Sequence, residues 1–317
     1  MRVRASERNR AVPGSAMILA AVLLAASCAR GGPPATTTAL DDDAITVASF
    51  NFPESVLVGE IYAQALEGEG FAVKRQLGLG ARELVEPSLE RGLVEFVPEY
   101  AGSALEFLTG GEGLATSDEA LTHDRLEQVF AERGVAVLAP APAQDQNGFA
   151  VSRETADRYG LRSISQLVPE APELAFGGPP ECPERPLCLG GLEDVYGLEF
   201  GTFESLDAGG PVSVTALRSG TVDVALLFTT DAAIDRYDFV LLYDDLGLQP
   251  AENVTPVVRT EVVEEHGDAF VRLVDSVSAL LTTEDLRELN ARVADGETPS
   301  EVAAAWLAEH GVSGPND

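Results

Sequence analysis

From residue 44 onward one unit repeats along the chain: a short β-rich run, then a helical stretch with an apolar stripe. Residues 45–50 form the first such run, and 55–67 follow with Leu57, Ile61 and Ala65 on one helical face. Residues 71–76 alternate like a strand, and 81–90 carry Leu84, Val85 and Leu89 at helical spacing. Residues 93–97 read as a strand and 101–108 as a short helix. A helix over 121–133, with Leu126, Val129 and Phe130, leads into a strand at 135–138. Strand and helix periods alternating in this order predict an α/β fold, a mostly parallel sheet with helices on both faces.

Ala139-Pro140-Ala141-Pro142 then interrupts the repeat. Each proline restricts itself and its predecessor, so the tetrad is a stiff, extended crossover. A second set follows, with strands expected at 148–151, 173–176, 222–228 and 239–242, and helices at 153–159 and 212–219. Thr298-Pro299-Ser300-Glu301 opens a last helix with a capping box, and Val302, Trp306 and Leu307 supply its apolar face. Two α/β sets joined in this way predict a two-lobed clamshell with two crossovers. Residues 44–142 plus 239–317 are assigned to lobe I and 143–238 to lobe II. Ligands of such folds bind in the cleft, where strand C-termini meet helix N-termini.

The N-terminus reads as export machinery. Arg2, Arg4, Arg8 and Arg10 precede an apolar run over 16–26, shorter than the roughly 20 residues that span a bilayer. Ala25, Ala26 and Ser27 lead to Cys28, which resembles a bacterial lipobox with Leu24 one place early. Residues 1–27 are expected to be a lipoprotein signal peptide and Cys28 the lipidation site. Residues 28–43, rich in Gly, Pro and Thr, are expected to be a flexible tether. The formal net charge is −31 and Lys74 is the only lysine, which argues against nucleic-acid or anionic-membrane surfaces. In an exported chain, Cys182 and Cys188 in the loop C-P-E-R-P-L-C are expected to form a disulfide. A zinc site would need about four ligands, and His123, His266 and His310 are scattered, so no metal is expected.

Four loops carry distinctive residues: S-F-N-F-P-E-S at 49–55, L-G-L-G-A-R at 77–82, V-P-E-Y-A-G-S at 97–103 and A-Q-D-Q-N-G-F at 143–149. With I-Y-A-Q-A-L-E at 61–67, P-E-Y-x-G-[ST]-A-L at 98–105 and F-T-T-D-A-A-I at 228–234, they make the chain resemble the osmoprotectant branch of ABC-importer solute-binding proteins. These are the binders of glycine betaine, choline and carnitine, and the resemblance covers about residues 44–310. It implies a periplasmic-binding-protein-like clamshell, a monomer without cofactor. Its cleft would capture a quaternary ammonium osmolyte and pass it to a membrane permease, with the ATPase reached only through that permease. The chain would sit outside the cytoplasm, held to the membrane by the lipid on Cys28.

The resemblance also implies an aromatic cage. A quaternary ammonium has no N–H to donate, so aromatic faces hold it, each desolvated contact contributing up to about 2 kcal/mol. The expected binding set is Ser49, Phe50, Asn51, Glu54, Ala81, Tyr100, Asp145, Gln146, Asn147, Phe228 and Thr229. Tyr100 leads as cage residue, followed by Phe228, then Phe50 and Phe149. Gly102 and Ser103 are expected to leave the helix start open for ligand to reach the Tyr100 ring. Relatives carry lysine where this chain has Phe50 and glutamine where it has Ser55. That lysine can help hold a carboxylate, so its loss shifts the expectation toward choline. Backbone N–H groups at the helix start near Ala81 and Arg82 could still donate to such a carboxylate.

Rival readings fail on specific residues. Gly78-x-Gly80 lacks the third glycine of a dinucleotide fingerprint, with Glu83 in its place. There is no G-x-S-x-G and no H-E-x-x-H, so no enzyme is expected. A binder of another small solute, such as an amino acid, and an extracytoplasmic sensor module are the alternatives.

Overall fold

The computed structural model describes residues 44–180 and 182–314. The first sheet is built from β1 (Ile45–Phe50), β2 (Val73–Gly80), β3 (Phe96–Tyr100), β4 (Val135–Val137) and the late strand β10 (Val254–Arg259), in the order β2-β1-β3-β10-β4. The second contains β5 (Asn147–Val151), β6 (Ala175–Gly178), β7 (Thr202–Ser205), β8 (Val224–Phe228) and β9 (Val240–Leu241), in the order β7-β6-β8-β5-β9. In each sheet the first three strands run parallel and the strand arriving from the other lobe runs antiparallel: β10 against β3 and β4, and β5 against β8 and β9. The sheets are therefore mixed, because the two incoming strands enter against the grain.

Helices α1 (Pro53–Gly68), α2 (Arg82–Glu90), α3 (Ala101–Thr109) and α4 (Glu119–Ala131) belong to the first set, and α5 (Arg153–Tyr159), α6 (Leu189–Tyr196), α7 (Pro211–Ser219) and α8 (Ala233–Arg236) to the second. The chain ends in α9 (Thr260–Leu280), α10 (Thr283–Ala294) and α11 (Pro299–Glu309). α1 is buried on most of its surface, with Leu57, Ile61, Tyr62 and Leu66 all at 1% exposure or less. It packs between its own sheet and α9–α11, and Tyr62 Oη meets Ser278 Oγ of α9 at 2.9 Å. Thr298 and Glu301 form the reciprocal capping box that opens α11. The Cys182 and Cys188 sulfurs are bonded, closing the loop before α6.

The lobe boundary drawn at 238/239 is corrected by the pairing. β9 hydrogen-bonds to β5 in the second sheet, and Phe239 is buried in the second lobe's core. The return to the first lobe runs through 243–253, and only β10 rejoins the first sheet. There the two crossovers lie side by side. Gln144 and Asn253 form an antiparallel bridge, Asp145 N donates to Glu252 O at 3.2 Å and Val254 N donates to Ala143 O at 2.9 Å. The third strand also begins later than expected: β3 runs to Tyr100, while Leu93 is exposed in the preceding turn.

Candidate functional site

The C-terminal ends of β1 and β3, the starts of α1 and α2, the first crossover, the loop after β8 and the end of α10 converge on one cleft of about 1090 Å³. Of the expected set, Phe50, Asn51, Glu54, Ala81, Tyr100, Asp145 and Phe228 line it. Ser49, Gln146, Asn147 and Thr229 do not, and each has a different task. Ser49 is fully buried, and its Oγ accepts from Gly78 N at 2.9 Å, tying β1 to the β2 end. Gln146 N donates to Thr229 Oγ1 at 2.9 Å, and Gln146 Nε2 donates to Pro250 O at 2.7 Å, stitching the crossovers together. Asn147 Nδ2 donates to Leu187 O at 3.2 Å, inside the second lobe. Phe149, at 1% exposure, is a core residue against Phe176. Cys28 lies outside the described residues.

Three of these four, Ser49, Gln146 and Thr229, sit beside a cleft residue. In an extended segment neighbours point to opposite sides, so only one of Ser49/Phe50, Asp145/Gln146 or Phe228/Thr229 can face a given space. Phe52, Arg82, Thr230, Tyr237 and Asn290 also line the cleft and were not in the expected set. Phe52 and Arg82 lay inside loops already marked as distinctive. Asn290 comes from α10 and meets Glu54 across 236 positions of sequence, a distance no local pattern signals.

The floor combines aromatic faces with one buried and one half-buried carboxylate, Glu54 and Asp145. Phe50 and Phe52 stack at 6.0 Å with planes 4° apart, and Phe52 lies 5.8 Å from Tyr100. Glu54, 6% exposed, accepts from Tyr100 Oη at 2.7 Å and from Asn290 Nδ2 at 2.6 Å. Asn290 Nδ2 also donates to Thr230 O at 3.1 Å, and Thr230 Oγ1 donates to Asp145 Oδ1 at 2.9 Å. A continuous chain of hydrogen bonds thus runs Tyr100–Glu54–Asn290–Thr230–Asp145. Burial pushes both acids up from the ordinary carboxylate range, and the Glu54 charge raises Asp145 further. A cation placed between them would offset that desolvation.

The facing wall is supplied by lobe II. Phe228 is 36% exposed, and its ring lies over Gly209, where an added Cβ would come within 2.9 Å of Cδ2. Tyr237 is also exposed, with the Arg218 guanidinium 5.0 Å from its ring centroid. One expectation is corrected here. The space beside Gly102 is not open to ligand: an added Cβ would meet Ala251 O at 2.8 Å and Pro250 Cβ at 3.0 Å. Gly102 makes room for the returning crossover, while Tyr100 and Ser103 both line the cleft. Among the described residues no histidine or cysteine lines the cleft, and no helix is long and apolar enough to cross a membrane.

Comparison with known proteins identifies the family. The family model for the substrate binding domain of the ABC-type glycine betaine transport system matches residues 43–309. A glycine-betaine-binding protein of Pseudomonas aeruginosa is 31% identical over 280 residues, spanning 84% of this chain and 88% of that one. The apo structure of YehZ from Escherichia coli superposes with a TM-score of 0.74 at 27% identity, over 85% of this chain and 99% of that one. The crystal structure of a glycine betaine/carnitine/choline ABC transporter protein superposes with a TM-score of 0.77 at 22% identity, over 84% and 99%, and shows the shared fold. The chain therefore belongs to the family of substrate-binding domains of ABC-type glycine betaine transport systems, extracytoplasmic solute-binding proteins that are not enzymes.

Proposed function

We propose that this protein captures a quaternary ammonium osmolyte between its lobes and delivers it to a membrane permease. The observation that carries the reading is the union, in one cleft, of the Phe50–Phe52–Tyr100 aromatic wall with the buried Glu54 and the half-buried Asp145. An alkylated ammonium has no hydrogen-bond donors, so it gains from π-faces and from nearby negative charge rather than from directional acceptors. Phe228 and Tyr237 complete the enclosure when lobe II swings toward lobe I about the paired crossovers. Ser49, Gln146, Asn147 and Thr229 support the site by fixing the strand ends and crossovers rather than by touching ligand.

Residues 1–27 act as the export signal, Cys28 carries the lipid, and 28–43 tether the lobes to the membrane, where the permease is reached. Metabolic palmitate labelling of the wild type and of Cys28→Ala tests the anchor, and equal labelling of both would sink it. The binding reading is tested by a thermal-shift screen of choline, glycine betaine, carnitine and common amino acids. A rise in melting temperature that grows with concentration for the quaternary ammonium compounds supports it. A rise confined to amino acids would replace it with an amino-acid binder.

A further inference from the structure

The two crossovers are paired with each other, and both are also tied to one short loop of lobe II. Cys182 and Cys188, at 0% and 2% exposure, are bonded to each other and close the segment between β6 and α6. Residues 183–186 are exposed and Leu187 is half-buried. The loop stands outside the cleft lining, yet its backbone reaches both crossovers. Leu187 O accepts from Asn147 Nδ2 at 3.2 Å and from Gln249 Nε2 at 3.0 Å. Asn147 is the first residue of β5, where the first crossover enters lobe II, and Gln249 lies on the returning one. The two side chains also meet, Asn147 Nδ2 donating to Gln249 Oε1 at 3.3 Å.

Further contacts hold the returning crossover to the same unit. The Asp244 carboxylate accepts from Leu248 N at 2.9 Å, from Gln249 N at 2.7 Å and from the Tyr196 hydroxyl at the end of α6. That hydroxyl accepts in turn from Leu246 N at 2.9 Å. Leu248 is buried in one cluster with Cys182, Cys188, Leu189 and Leu192. Leu189 N, at the start of α6, donates to Cys182 Sγ at 3.2 Å. Gly191 is pressed from two sides: an added Cβ would collide with Pro186 O of the loop and come within 2.6 Å of Leu248 Cδ1. Loop, helix start and crossover therefore interlock with no room for one more methyl group.

An unclosed loop would let the Leu187 carbonyl wander, and the covalent bond between its ends removes that freedom. The carbonyl then offers one fixed acceptor to an amide from each crossover. Gln249 is 4% exposed, so water cannot readily replace Leu187 O when the loop moves. We infer that the disulfide-closed loop is the seat of the hinge. The Cys182–Cys188 bond fixes, through Leu187 O, where the two crossovers leave lobe II, and so sets from outside the cleft how tightly the lobes close. A seat that shifts lets the lobes spread over more orientations, and apparent affinity falls with the fraction able to close. This concerns the hinge and holds for any ligand of the cleft.

Amide hydrogen exchange on the full chain without ligand, resolved to short peptides by mass spectrometry, tests the seat directly. Four forms are compared: wild type, Cys182→Ala/Cys188→Ala, Gln249→Leu and the combination. Peptides over 143–147 and 244–254 contain the amides of Asp145 and Val254, which pair the crossovers, and of Leu248 and Gln249. In the double cysteine variant they are expected to exchange at least about tenfold faster, while β8 keeps its protection. Gln249→Leu is expected to act likewise and the combination to add little, because both changes remove one linkage. Unchanged protection of the crossovers overturns the proposal, as does loosening spread evenly over lobe II, or effects that add in full. Should the double cysteine variant lack a cooperative unfolding transition, Gln249→Leu and Asn147→Ala carry the same comparison. Calorimetry with glycine betaine reads the consequence for the cleft: binding about fivefold weaker in the variants is expected, and equal affinity overturns the link from seat to closure. A wild-type chain that binds neither glycine betaine nor choline overturns the quaternary ammonium reading, while the exchange comparison still decides this proposal.

Discussion

The Tyr100 hydroxyl donates to Oε1 of Glu54 across 2.7 Å, joining two residues that line the cleft. Tyr100 ends β3 and Glu54 begins α1, so the bond also pins two strand–helix junctions to each other. Burial and the neighbouring acids raise the Tyr100 phenol well above its ordinary value, so it remains a donor throughout the physiological range.

Tyr100→Phe keeps the π-face and removes that donor. Glu54 then relies on Asn290, and its charged form is less well supported. Affinity for a quaternary ammonium is expected to fall by about three- to tenfold, the worth of one hydrogen bond to a charged group at its lower end. Calorimetry on the variant checks this, and an unchanged affinity would mean that Glu54 contributes no charge to binding.

Acid should weaken binding. Glu54 and Asp145 both have their protonation midpoints raised by burial, and a bound cation favours their ionised forms. Affinity is therefore full where both are ionised and falls as the pH drops through their raised midpoints. The loss begins above about pH 4.5, where an exposed glutamate would still be charged. Titrations between about pH 8 and pH 5 are expected to show weakening together with proton release on binding. A flat profile would place the cation away from both acids.

Glu86 gives a stability prediction with a definite sign. Burial first, then the adjacent Glu99, push its carboxyl up to about 10. The folded chain keeps a proton there that the unfolded chain loses near pH 4.5, so this group's contribution to stability declines as pH rises between those values. Glu86→Gln retains a donor toward Glu99 and removes the cost. Its melting temperature should exceed that of the wild type by a few degrees at about pH 8, with the gain shrinking toward about pH 5. A destabilised variant at about pH 8 would mean that Glu86 is ionised in the fold.

Much of the architecture was legible because local signals agreed with it. The run at 45–50 is β1, the capping box at Thr298 opens α11, and the prolines at 140 and 142 mark the first crossover. What local pattern could not show was pairing. β9 is two residues long and reads equally well on either side of a lobe boundary; only its bonds to β5 settle the matter. The cleft was legible as a set of loops but not as a set of side chains. Asp145 faces the ligand space and its neighbours do not, a choice made by the register of the crossover rather than by residue type. Asn290 and Arg82 became visible only once α10 and α2 were set against α1 and β3.

The cleft is proposed to recognise an alkylated positive charge. Choline and its uncharged carbon isostere, 3,3-dimethylbutan-1-ol, have nearly the same shape and differ in that charge. Calorimetry is expected to show choline binding at least about a hundredfold more tightly, from cation–π contacts and two nearby carboxylates acting together. Equal affinity for the two compounds, or binding of the isostere alone, would contradict it.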